Sequence, residues 1–497
     1  MDNTLYDVLV VGGGINGCGI ANHASQAGLK VMLIEAADLA GATSSASSKL
    51  IHGGLRYLEQ REFRLVRKAL GEREVLLKMA PHLVWPLKFV LPHHDGLRPG
   101  WLIRLGLFLY DHLGGREVLP GSYGLRLRRH PFGEPLQRAF RRGFVYADCW
   151  VDDARLVVAN AQQCREQGGE VRTHTRMLSA RRTGPHWEVD IENPDGSTAT
   201  LTARALVNAA GPWVERVLKQ GLRLGARDSV KMVKGSHIVV PALHDGSQAY
   251  ILQHRDGRIA FVLPYEQGYS LIGTTDVVFE GDPRSASCSD EEVAYLCALV
   301  GEYFAKPPTP ADVLWRYAGV RPLYDDQSDD PSAVTRDHVL RLDRDGAPVL
   351  SVFGGKLTTY RQLALEAMDL LRPSFAAMRE PLVPPKPLPG GDLPHADFDA
   401  FLAQLAPRYA WLDPALLRRL ARQYGSRVET LLNGYQQLSD LGRHFGAGLY
   451  EAEVRYLQRE EWARDADDIL WRRTKRGLHM SAAQRAEFAA WLQGSQP

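Results

Sequence analysis

The spacing of apolar positions changes twice along the chain. In the first part, short β-branched runs such as Asp7 to Val11 and Val31 to Ile34 alternate with stretches of helical periodicity. Residues 188–208 and 236–275 instead have the pattern of successive strands separated by Gly and Asp turns. Beyond residue 394, apolar positions recur at helical spacing. The pattern predicts an α/β nucleotide-binding domain interleaved with a sheet-rich α+β domain, followed by a C-terminal helical domain.

Changes of composition indicate the borders of these units. Proline and glycine concentrate in residues 379–394, which predicts a linker before the helical residues 395–497. The nucleotide-binding domain is expected to be discontinuous, with the sheet-rich substrate domain inserted into it. The expected boundaries are residues 1–75, 145–230 and 335–378 for the nucleotide-binding domain, and residues 76–144 and 231–334 for the substrate domain.

The overall composition narrows the function classes. With 497 residues, of which 45% are apolar and 24% charged, the chain is expected to form about two or three folded domains. Its 60 basic and 58 acidic residues leave a net charge of +2, which argues against a nucleic-acid partner. Five cysteines without a C-x-x-C pair predict no disulfide framework, and no metal site is expected. Because neither a signal peptide nor an apolar run of roughly 20 residues is recognisable, a cytoplasmic location is expected.

The strongest motif directly follows the first predicted strand. Gly12-Gly13-Gly14-Ile15-Asn16-Gly17 opens a helical stretch, which gives G-x-G-x-x-G between a strand and a helix. Gly12 permits a tight turn, Gly14 lets the backbone approach a pyrophosphate, and Gly17 lets the helix pack closely. Glu35 ends the next strand, where its carboxylate is expected to bind the ribose hydroxyls. The motif therefore predicts a bound dinucleotide and leaves FAD and NAD open.

Six further stretches carry a resemblance to a known family. They are Thr43 to Tyr57, Tyr146 to Leu156, Lys234 to Val240, Ile272 to Asp276, Gly319 to Leu323 and Ser351 to Tyr360. In these stretches the chain resembles the bacterial aerobic, FAD-dependent glycerol-3-phosphate dehydrogenases, within the wider D-amino-acid-oxidase-like flavoprotein group. The likeness runs from the first strand into the helical tail.

The resemblance implies a Rossmann-like FAD-binding domain, with FAD as the cofactor. Ala210 stands where such flavoproteins commonly have threonine, but this turn needs only a small residue, so flavin binding is expected to survive. A second glycine pair, Gly354-Gly355, is expected with Leu357 and Thr358 to direct backbone N–H groups and a helix start toward the flavin, which stabilises negative charge on its reduced form. The residues expected to contact FAD are Gly12, Gly14, Asn16, Gly17, Glu35, Thr43, Ser44, Ser47, Lys49, Leu50, His52, Gly53, Gly211, Gly354, Gly355, Leu357 and Thr358.

The resemblance also implies a substrate, sn-glycerol 3-phosphate, and its oxidation to dihydroxyacetone phosphate by hydride transfer to flavin N5. A dianionic phosphate is best matched by guanidinium groups together with an ammonium group. The cationic residues expected to bind the substrate are Arg56, Arg321, Arg336 and Lys356.

Three residues are candidates for the catalytic step. His237 is expected to take the hydroxyl proton, because an imidazole titrates near neutral pH and the family's active-site histidine lies in this stretch. Tyr57 is a candidate for a hydrogen bond to the substrate. Arg321 is a candidate for easing loss of the hydroxyl proton at C2. The sequence does not rank these roles.

Two apolar, aromatic stretches, Trp85 to Val90 and Trp101 to Tyr110, have the basic residues Lys88, Arg98 and Arg104 close by. This pattern is typical of a patch that lies on an anionic lipid surface, and equally of a buried core helix. The resemblance favours peripheral attachment to the cytoplasmic face of the cell membrane, with electrons passed to ubiquinone or menaquinone. A homodimer is one of the states that the sequence allows.

Three other functions stay open. A glycerol-3-phosphate oxidase performs the same half-reaction but reduces oxygen to hydrogen peroxide. An amine or amino-acid oxidase of the same fold group would use arginine for a carboxylate, whereas four cationic candidates favour phosphate. A flavin-bound scaffold or redox sensor would bind a partner through the helical tail without steady turnover.

Overall fold

A computed structural model of the protein describes residues 4–58, 62–94, 96–225, 228–254, 257–325 and 337–494. Its strands, named in chain order, are β1 (Leu5–Val11), β2 (Val31–Ile34), β3 (Leu50–Ile51), β4 (Val84–His93), β5 (Tyr123–Leu125), β6 (Arg142–Val151), β7 (Glu170–Arg172), β8 (Arg176–Thr183), β9 (His186–Glu192), β10 (Thr198–Asn208), β11 (Val230–Pro241), β12 (Ala249–Gln253), β13 (Ile259–Tyr265), β14 (Tyr269–Gly273), β15 (Val277–Val278), β16 (Trp315–Tyr324), β17 (Val339–Asp343), β18 (Val349–Phe353), β19 (His444–Gly446) and β20 (Leu449–Tyr450).

The α-helices of the described residues lie between these strands and after them. They are α1 (Ile15–Gln26), α2 (Phe63–Met79), α3 (Gly100–Leu113), α4 (Asp153–Glu166), α5 (Val214–Arg216), α6 (Asp290–Gly301), α7 (Tyr360–Leu371), α8 (Phe398–Arg408), α9 (Pro414–Tyr424), α10 (Val428–Leu431), α11 (Glu451–Glu461) and α12 (Ala482–Gly494).

The first sheet is built around β1. Its strand order is β17-β18-β10-β1-β2-β7, with β9 hydrogen-bonded to β10 and β8 to β9. β1 pairs in parallel with β2 and β10, and β10 pairs in parallel with β18. Val8 and Val10 pack against α1, α4 and α7 on one face, whereas Leu9 packs against β9 on the other. Because both faces are covered, β1 is a nearly continuous apolar run.

The second sheet is mostly antiparallel. Its order is β15-β11-β14-β13-β12-β4-β6-β3, with β16 on β11 and β5 on β6; β4 and β12 are parallel. On β11, Ile238 packs toward α6, whereas Val239 points to the opposite face, toward α2 and α3. His237 is two residues before Val239 and therefore shares the face toward α2 and α3.

The chain passes back and forth between the two sheets. β1 and β2 belong to the first sheet, β3 to β6 to the second, β7 to β10 to the first, β11 to β16 to the second, and β17 and β18 to the first. After β18, helices α8 to α12 and the hairpin β19–β20 enclose a separate apolar cluster that runs from Leu393 to Leu492. The predicted fold class is confirmed.

The segment predicted as a linker is packed against the rest of the chain. Leu388 is buried, and its N–H donates to the Met79 carbonyl at 2.9 Å. The Gln163 side chain donates to the Pro387 carbonyl at 2.7 Å. The segment that leads to the helical region is therefore hydrogen-bonded to the rest of the chain. The exact residue numbers of the domain boundaries stay a prediction.

Candidate active site

The glycine turn between β1 and α1 leaves no room for side chains. Gly12 has a φ of +115°, and a Cβ there would lie 2.5 Å from the Ala209 carbonyl oxygen. A Cβ on Gly17 would lie 1.9 Å from the Gly12 carbonyl oxygen, so α1 packs directly on the turn. Around Gly14 the nearest atom to such a Cβ is Ser44 Oγ, at 3.2 Å. The turn thus allows the close backbone approach that the pyrophosphate of a dinucleotide needs.

Two polar side chains fix the shape of this turn. The Glu35 carboxylate accepts hydrogen bonds from the N–H groups of Gly13 and Ala37, at 2.6 and 2.9 Å. Burial raises the pKa of Glu35. Ser44 Oγ accepts a hydrogen bond from the Ile15 N–H at 3.0 Å. Glu35, which follows β2, is therefore hydrogen-bonded to the glycine turn at the place where the ribose is expected to bind.

Asn16 joins the first glycine turn to the second glycine pair. Its Nδ2 donates to the Gly354 carbonyl at 3.2 Å, and Gly354 and Gly355 have φ values of +74° and +94°. Its Oδ1 is buried and has no hydrogen-bond partner among the described residues. A buried acceptor in this state fits a bound group that donates to it. Together with the glycine cradle, this acceptor fits FAD.

The hydroxyl-rich loop, residues Thr43 to Lys49, is held mainly by Asp153. Ser47 Oγ and Lys49 Nζ each donate to the Asp153 carboxylate at 2.7 Å, and this ion pair is buried. Thr43 Oγ1 donates to the Val320 carbonyl at 2.6 Å, which ties the loop to β16. The backbone N–H groups of Ser47 and Lys49 also donate hydrogen bonds, to Asp153 and to Ser47 Oγ respectively, so these two residues fix the shape of the loop. Contacts of Ser47 and Lys49 with FAD stay a prediction from sequence.

The other predicted FAD contacts lie around the junction of β3 and α7. Leu50 is buried in β3, and the His52 N–H donates to Thr358 Oγ1 at 3.3 Å. The Gly53 N–H donates to the Tyr110 hydroxyl at 2.8 Å. Leu357 begins the helical turn Leu357–Thr359 that leads into α7. The segment after β3 and the segment after β18 therefore lie next to each other. This is necessary if both contact the same FAD, as the sequence predicts.

Gly211 lies apart from these contacts, at the turn after β10. Its φ is +54°, a conformation that favours glycine, and a Cβ there would meet no atom within 4 Å. Its backbone is therefore approachable by a ligand. The contact of Gly211 with FAD stays a prediction.

His237 is buried between β11 and the hydroxyl-rich loop. Its Nε2 lies 2.9 Å from Ser48 Oγ, and its ring stacks on Tyr317 with centroids 4.9 Å apart. Burial, with smaller contributions from the Lys49 and Arg321 charges, lowers the pKa of His237 to about 3. Its Nδ1 is buried without a hydrogen-bond partner among the described residues. The imidazole is therefore neutral at pH 7 and has a ring nitrogen that can accept a proton.

Glycines in the second sheet make the space for the polar side chains of the site. A Cβ on Gly273, opposite His237, would lie 2.1 Å from His237 Cδ2. A Cβ on Gly235 would lie 2.5 Å from Arg321 Nη2. In both strands the missing side chain is replaced by a functional group of a neighbouring strand.

Arg321 is held by the loop that follows β14. Its Nη2 donates to the Thr275 carbonyl at 2.9 Å and lies 2.7 Å from Asp276 Oδ1. The guanidinium is about a quarter exposed. The hydrogen bond to the Thr275 carbonyl therefore orients the guanidinium, with Asp276 as its close charge partner. A substrate anion at Arg321 would share the guanidinium with this carboxylate.

Tyr57 and Lys356 lie together. Lys356 Nζ lies 4.0 Å from the centroid of the Tyr57 ring, which is the geometry of a cation–π contact. Both residues are half-buried. Arg336 and the side chain of Arg56 lie outside the described part of the chain. Of the four predicted substrate cations, the described structure therefore includes the side chains of Arg321 and Lys356.

Sequence reasoning missed the partners of the predicted residues. Ser48 and Tyr317 hold His237, Asp276 holds Arg321, and Asp153 holds Lys49. Ser48, Asp153 and Asp276 each lie in one of the resembling stretches, and this position was the available signal. Which residues pair is not visible in a local pattern, because Ser48 and His237 are 189 positions apart and Lys49 and Asp153 are 104 apart. Tyr317 lies outside the resembling stretches.

Helix α3 has an exposed apolar face. Trp101, Leu105 and Phe108, at helical spacing, are 70%, 48% and 50% exposed. The other stretch expected in an interfacial patch, Trp85 to Val90, lies in β4, where Leu87, Phe89 and Val90 are buried. Among the described residues, the large apolar side chains of the expected patch that are exposed therefore lie on α3. Within the described residues, no helix has the length and hydropathy to cross a membrane.

Two family profiles match the chain. Residues 7–361 match the family described as "FAD dependent oxidoreductase". Residues 385–490 match "C-terminal domain of alpha-glycerophosphate oxidase". The two matches cover most of the chain.

Individual proteins match it over nearly their whole length. The "Glycerol-3-phosphate dehydrogenase" of Pseudomonas aeruginosa is 54% identical over 99% of this chain and 96% of its own. The "Aerobic glycerol-3-phosphate dehydrogenase" of Escherichia coli is 52% identical, with 98% and 97% covered. The "D-erythritol 1-phosphate dehydrogenase" of Brucella abortus is 50% identical, with 98% and 97% covered. The crystal structure of the glycerol-3-phosphate dehydrogenase from Bacillus halodurans, complexed with FAD, has a TM-score of 0.78 at 26% identity and covers 99% of this chain and 95% of its own.

Proposed function

The chain belongs to the FAD-dependent glycerol-3-phosphate dehydrogenase family, and on this premise we propose that it oxidises sn-glycerol 3-phosphate to dihydroxyacetone phosphate. One observation carries the proposal: Lys356 directly follows the Gly354-Gly355 pair that fits FAD, and the buried, neutral imidazole of His237 contacts Ser48. FAD, when bound, supplies the two-electron acceptor at N5. The protein residues then have to bind the phosphate, orient the alcohol and remove its hydroxyl proton.

The proposed phosphate site contains Lys356 with Arg56 and Arg336. Lys356 follows the second glycine pair directly, and its contact with the Tyr57 ring holds the ammonium in one direction. An ammonium at this position attracts a phosphate dianion next to the cofactor. The Tyr57 hydroxyl is proposed to hydrogen-bond the same substrate.

We propose His237 as the general base. With a pKa lowered to about 3, the ring is neutral at pH 7 and can accept the hydroxyl proton. The neighbouring charges of Lys49 and Arg321 also lower the proton affinity of the ring, so we propose that the negative charge of the bound substrate phosphate raises it for the transfer. Arg321, oriented by Asp276, is proposed to hydrogen-bond the C2 oxygen as its proton leaves.

The test is anaerobic mixing of the flavoprotein with sn-glycerol 3-phosphate, with flavin bleaching and dihydroxyacetone phosphate both measured. Replacing His237 by alanine is expected to slow bleaching about 10²- to 10⁴-fold, as loss of a general base does. The matched control is His186→Ala, which removes a half-buried histidine from β9. Wild-type flavin that stays oxidised would exclude the proposed function, whereas fast bleaching in His237→Ala would exclude only the proposed base.

The identity of the polyol phosphate is decided in the same assay. D-erythritol 1-phosphate is the competing substrate, because a relative named for it is 50% identical to this chain. A larger kcat/KM for sn-glycerol 3-phosphate supports our proposal, and a larger value for D-erythritol 1-phosphate contradicts it. Bleaching by glycine or sarcosine, without bleaching by either phosphate, would instead indicate an amine oxidase.

For the electron acceptor we propose ubiquinone or menaquinone, reached from the cytoplasmic face of the cell membrane. The exposed face of α3 supports this, since aromatic and aliphatic side chains with nearby basic residues bind lipid headgroups and acyl chains. Reoxidation of the reduced flavin should be faster with a soluble quinone than with oxygen. Faster reoxidation by oxygen, with hydrogen peroxide formed, would indicate an oxidase.

Membrane attachment is tested separately on anionic vesicles. The double variant Trp101→Asp, Phe108→Asp is expected to lose binding to vesicles that contain anionic lipid. Leu178→Asp serves as the control, because Leu178 is 45% exposed on β8, outside the α3 face. Equal binding by all three proteins would contradict a membrane role for α3. Whether two copies associate can be measured by sedimentation in the same samples.

A further inference from the structure

The C-terminal helical domain contributes buried charged side chains to the FAD-binding domain. Arg473 has no exposed surface, and its two terminal nitrogens donate to the two carboxylate oxygens of Asp38, both at 2.7 Å. Arg472 Nε donates to the same carboxylate at 2.6 Å. Asp38 itself is 2% exposed. Two arginines from the helical domain thus enclose one carboxylate of the FAD-binding domain.

Asp38 belongs to the segment that shapes the nucleotide turn. It lies three residues after Glu35, whose carboxylate accepts a hydrogen bond from the Gly13 N–H. Two residues after Asp38, the Ala40 N–H donates to the Gly13 carbonyl at 3.0 Å. The segment that Arg473 grips is therefore hydrogen-bonded to Gly13 on both sides of Asp38.

A second contact reaches the hydroxyl-rich loop. Lys475 is buried, and its Nζ donates to Asp152. The adjacent Asp153 binds Ser47 and Lys49 of the loop. Lys475 therefore fixes the corner between β6 and α4, from which Asp153 holds a second segment of the FAD site.

We propose that the C-terminal helical domain is a positioning element of the FAD site, and that it acts through Arg473 on Asp38 and through Lys475 on Asp152. Removing one partner of a buried ion pair leaves the other charge without compensation, so the segment that bears it moves toward water. Replacing the Asp38 carboxylate leaves Arg472 and Arg473 uncompensated, so the helical domain no longer holds the segment that supports the glycine turn. Docking of the helical domain and binding of FAD are thus coupled, and each strengthens the other by the same factor.

The first test compares two isosteric substitutions. Asp38→Asn removes the carboxylate that Arg473 binds between the domains. Glu453→Gln removes a carboxylate of the same kind inside the helical domain, where Arg419 binds it through two contacts of 2.7 Å. FAD is titrated into each apoprotein, and the melting temperature of each apoprotein is measured.

We expect Asp38→Asn to raise the Kd for FAD at least about tenfold, within the usual range of couplings between sites. Glu453→Gln is expected to lower the melting temperature but to leave this Kd within about twofold of wild type. An unchanged Kd for FAD in Asp38→Asn would overturn the proposal. An equal rise of the Kd in both variants would also overturn it, because a loss of stability alone would raise both values to the same extent.

The second test needs no substitution. Hydrogen exchange of the wild-type protein is measured with and without FAD, and coupling predicts slower exchange of residues 461–475 when FAD is bound. The helix α8 serves as the internal reference, since it lies in the same domain without contributing to these ion pairs. If FAD does not slow exchange in residues 461–475, or slows it equally in α8, the coupling is contradicted. This result does not depend on whether Asp38→Asn folds.

Discussion

Gly273→Ala is the sharpest test of the way in which the second sheet positions His237. Gly273 pairs with His237 across β14 and β11, and an added Cβ would lie 2.1 Å from His237 Cδ2. Carbon atoms in contact are normally about 3.5 to 4.0 Å apart, so the ring has to retreat by roughly 1.4 Å or more. The backbone of Gly273 itself has no positive φ that would oppose alanine.

The size of the effect follows from that displacement. The 2.9 Å contact between His237 Nε2 and Ser48 Oγ would open beyond hydrogen-bonding distance. A misplacement of about 1 Å in a reacting group costs on the order of 10²-fold in rate. We therefore expect flavin reduction by sn-glycerol 3-phosphate to slow about 100-fold, with a stability loss of about 1 to 3 kcal/mol from overpacking.

The assay is anaerobic stopped-flow bleaching of the flavin, at matched FAD content. Gly124→Ala is the control, because its Cβ in β5 would come no closer than 3.8 Å to another atom. A double-mutant cycle with His237→Ala gives the decisive comparison. In that background Gly273→Ala should have no further effect on the rate, since the ring that it displaces is gone. A second 100-fold loss there would refute the idea that Gly273 acts through His237.

Two further predictions concern stability and cofactor retention. For His237 the folded pKa of about 3 lies below the unfolded value of about 6.5, so below pH 6.5 the unfolded state binds a proton that the folded state does not. Between pH 7 and pH 5 this residue should lower the free energy of unfolding by about 2 kcal/mol. Urea titrations of His237→Gln should therefore show a weaker dependence of this free energy on pH than wild type. The same pH dependence in both proteins would contradict the prediction. Gly17→Ala places a Cβ 1.9 Å from the Gly12 carbonyl and should yield protein without FAD after gel filtration, whereas Gly71→Ala in α2, where no atom lies within 4 Å, should retain FAD; retention in both would refute the steric argument.

The part of the site that was predictable from sequence is local. Gly12, Gly17 and Glu35 follow from a strand, a turn and a helix whose geometry is fixed over some 30 residues. The same holds for the fold class, which periodicity and the order of the segments indicate.

The pairings across the fold were not predictable in this way. Arg473 binds Asp38 across 435 residues, and Ser48 approaches His237 across 189. In the sequence, Arg473 lies in a polar helical stretch that is typical of a solvated surface. Its burial depends on where the helical domain docks, and hydrophobic periodicity carries no information about docking of one domain on another.

The order of the first sheet's strands along the chain also constrains when the protein can acquire its cofactor. β1 and the glycine turn are synthesised before β10, which pairs with β1 and ends at Asn208, and before β18, which pairs with β10 and ends at Phe353. At about 5 to 20 residues per second, translation of the intervening chain takes roughly 20 to 70 s. During this time the apolar β1 has no completed sheet to join. The sheet that bears the flavin site is therefore complete only after β18 has been made, and until then the apolar β1 is exposed to aggregation.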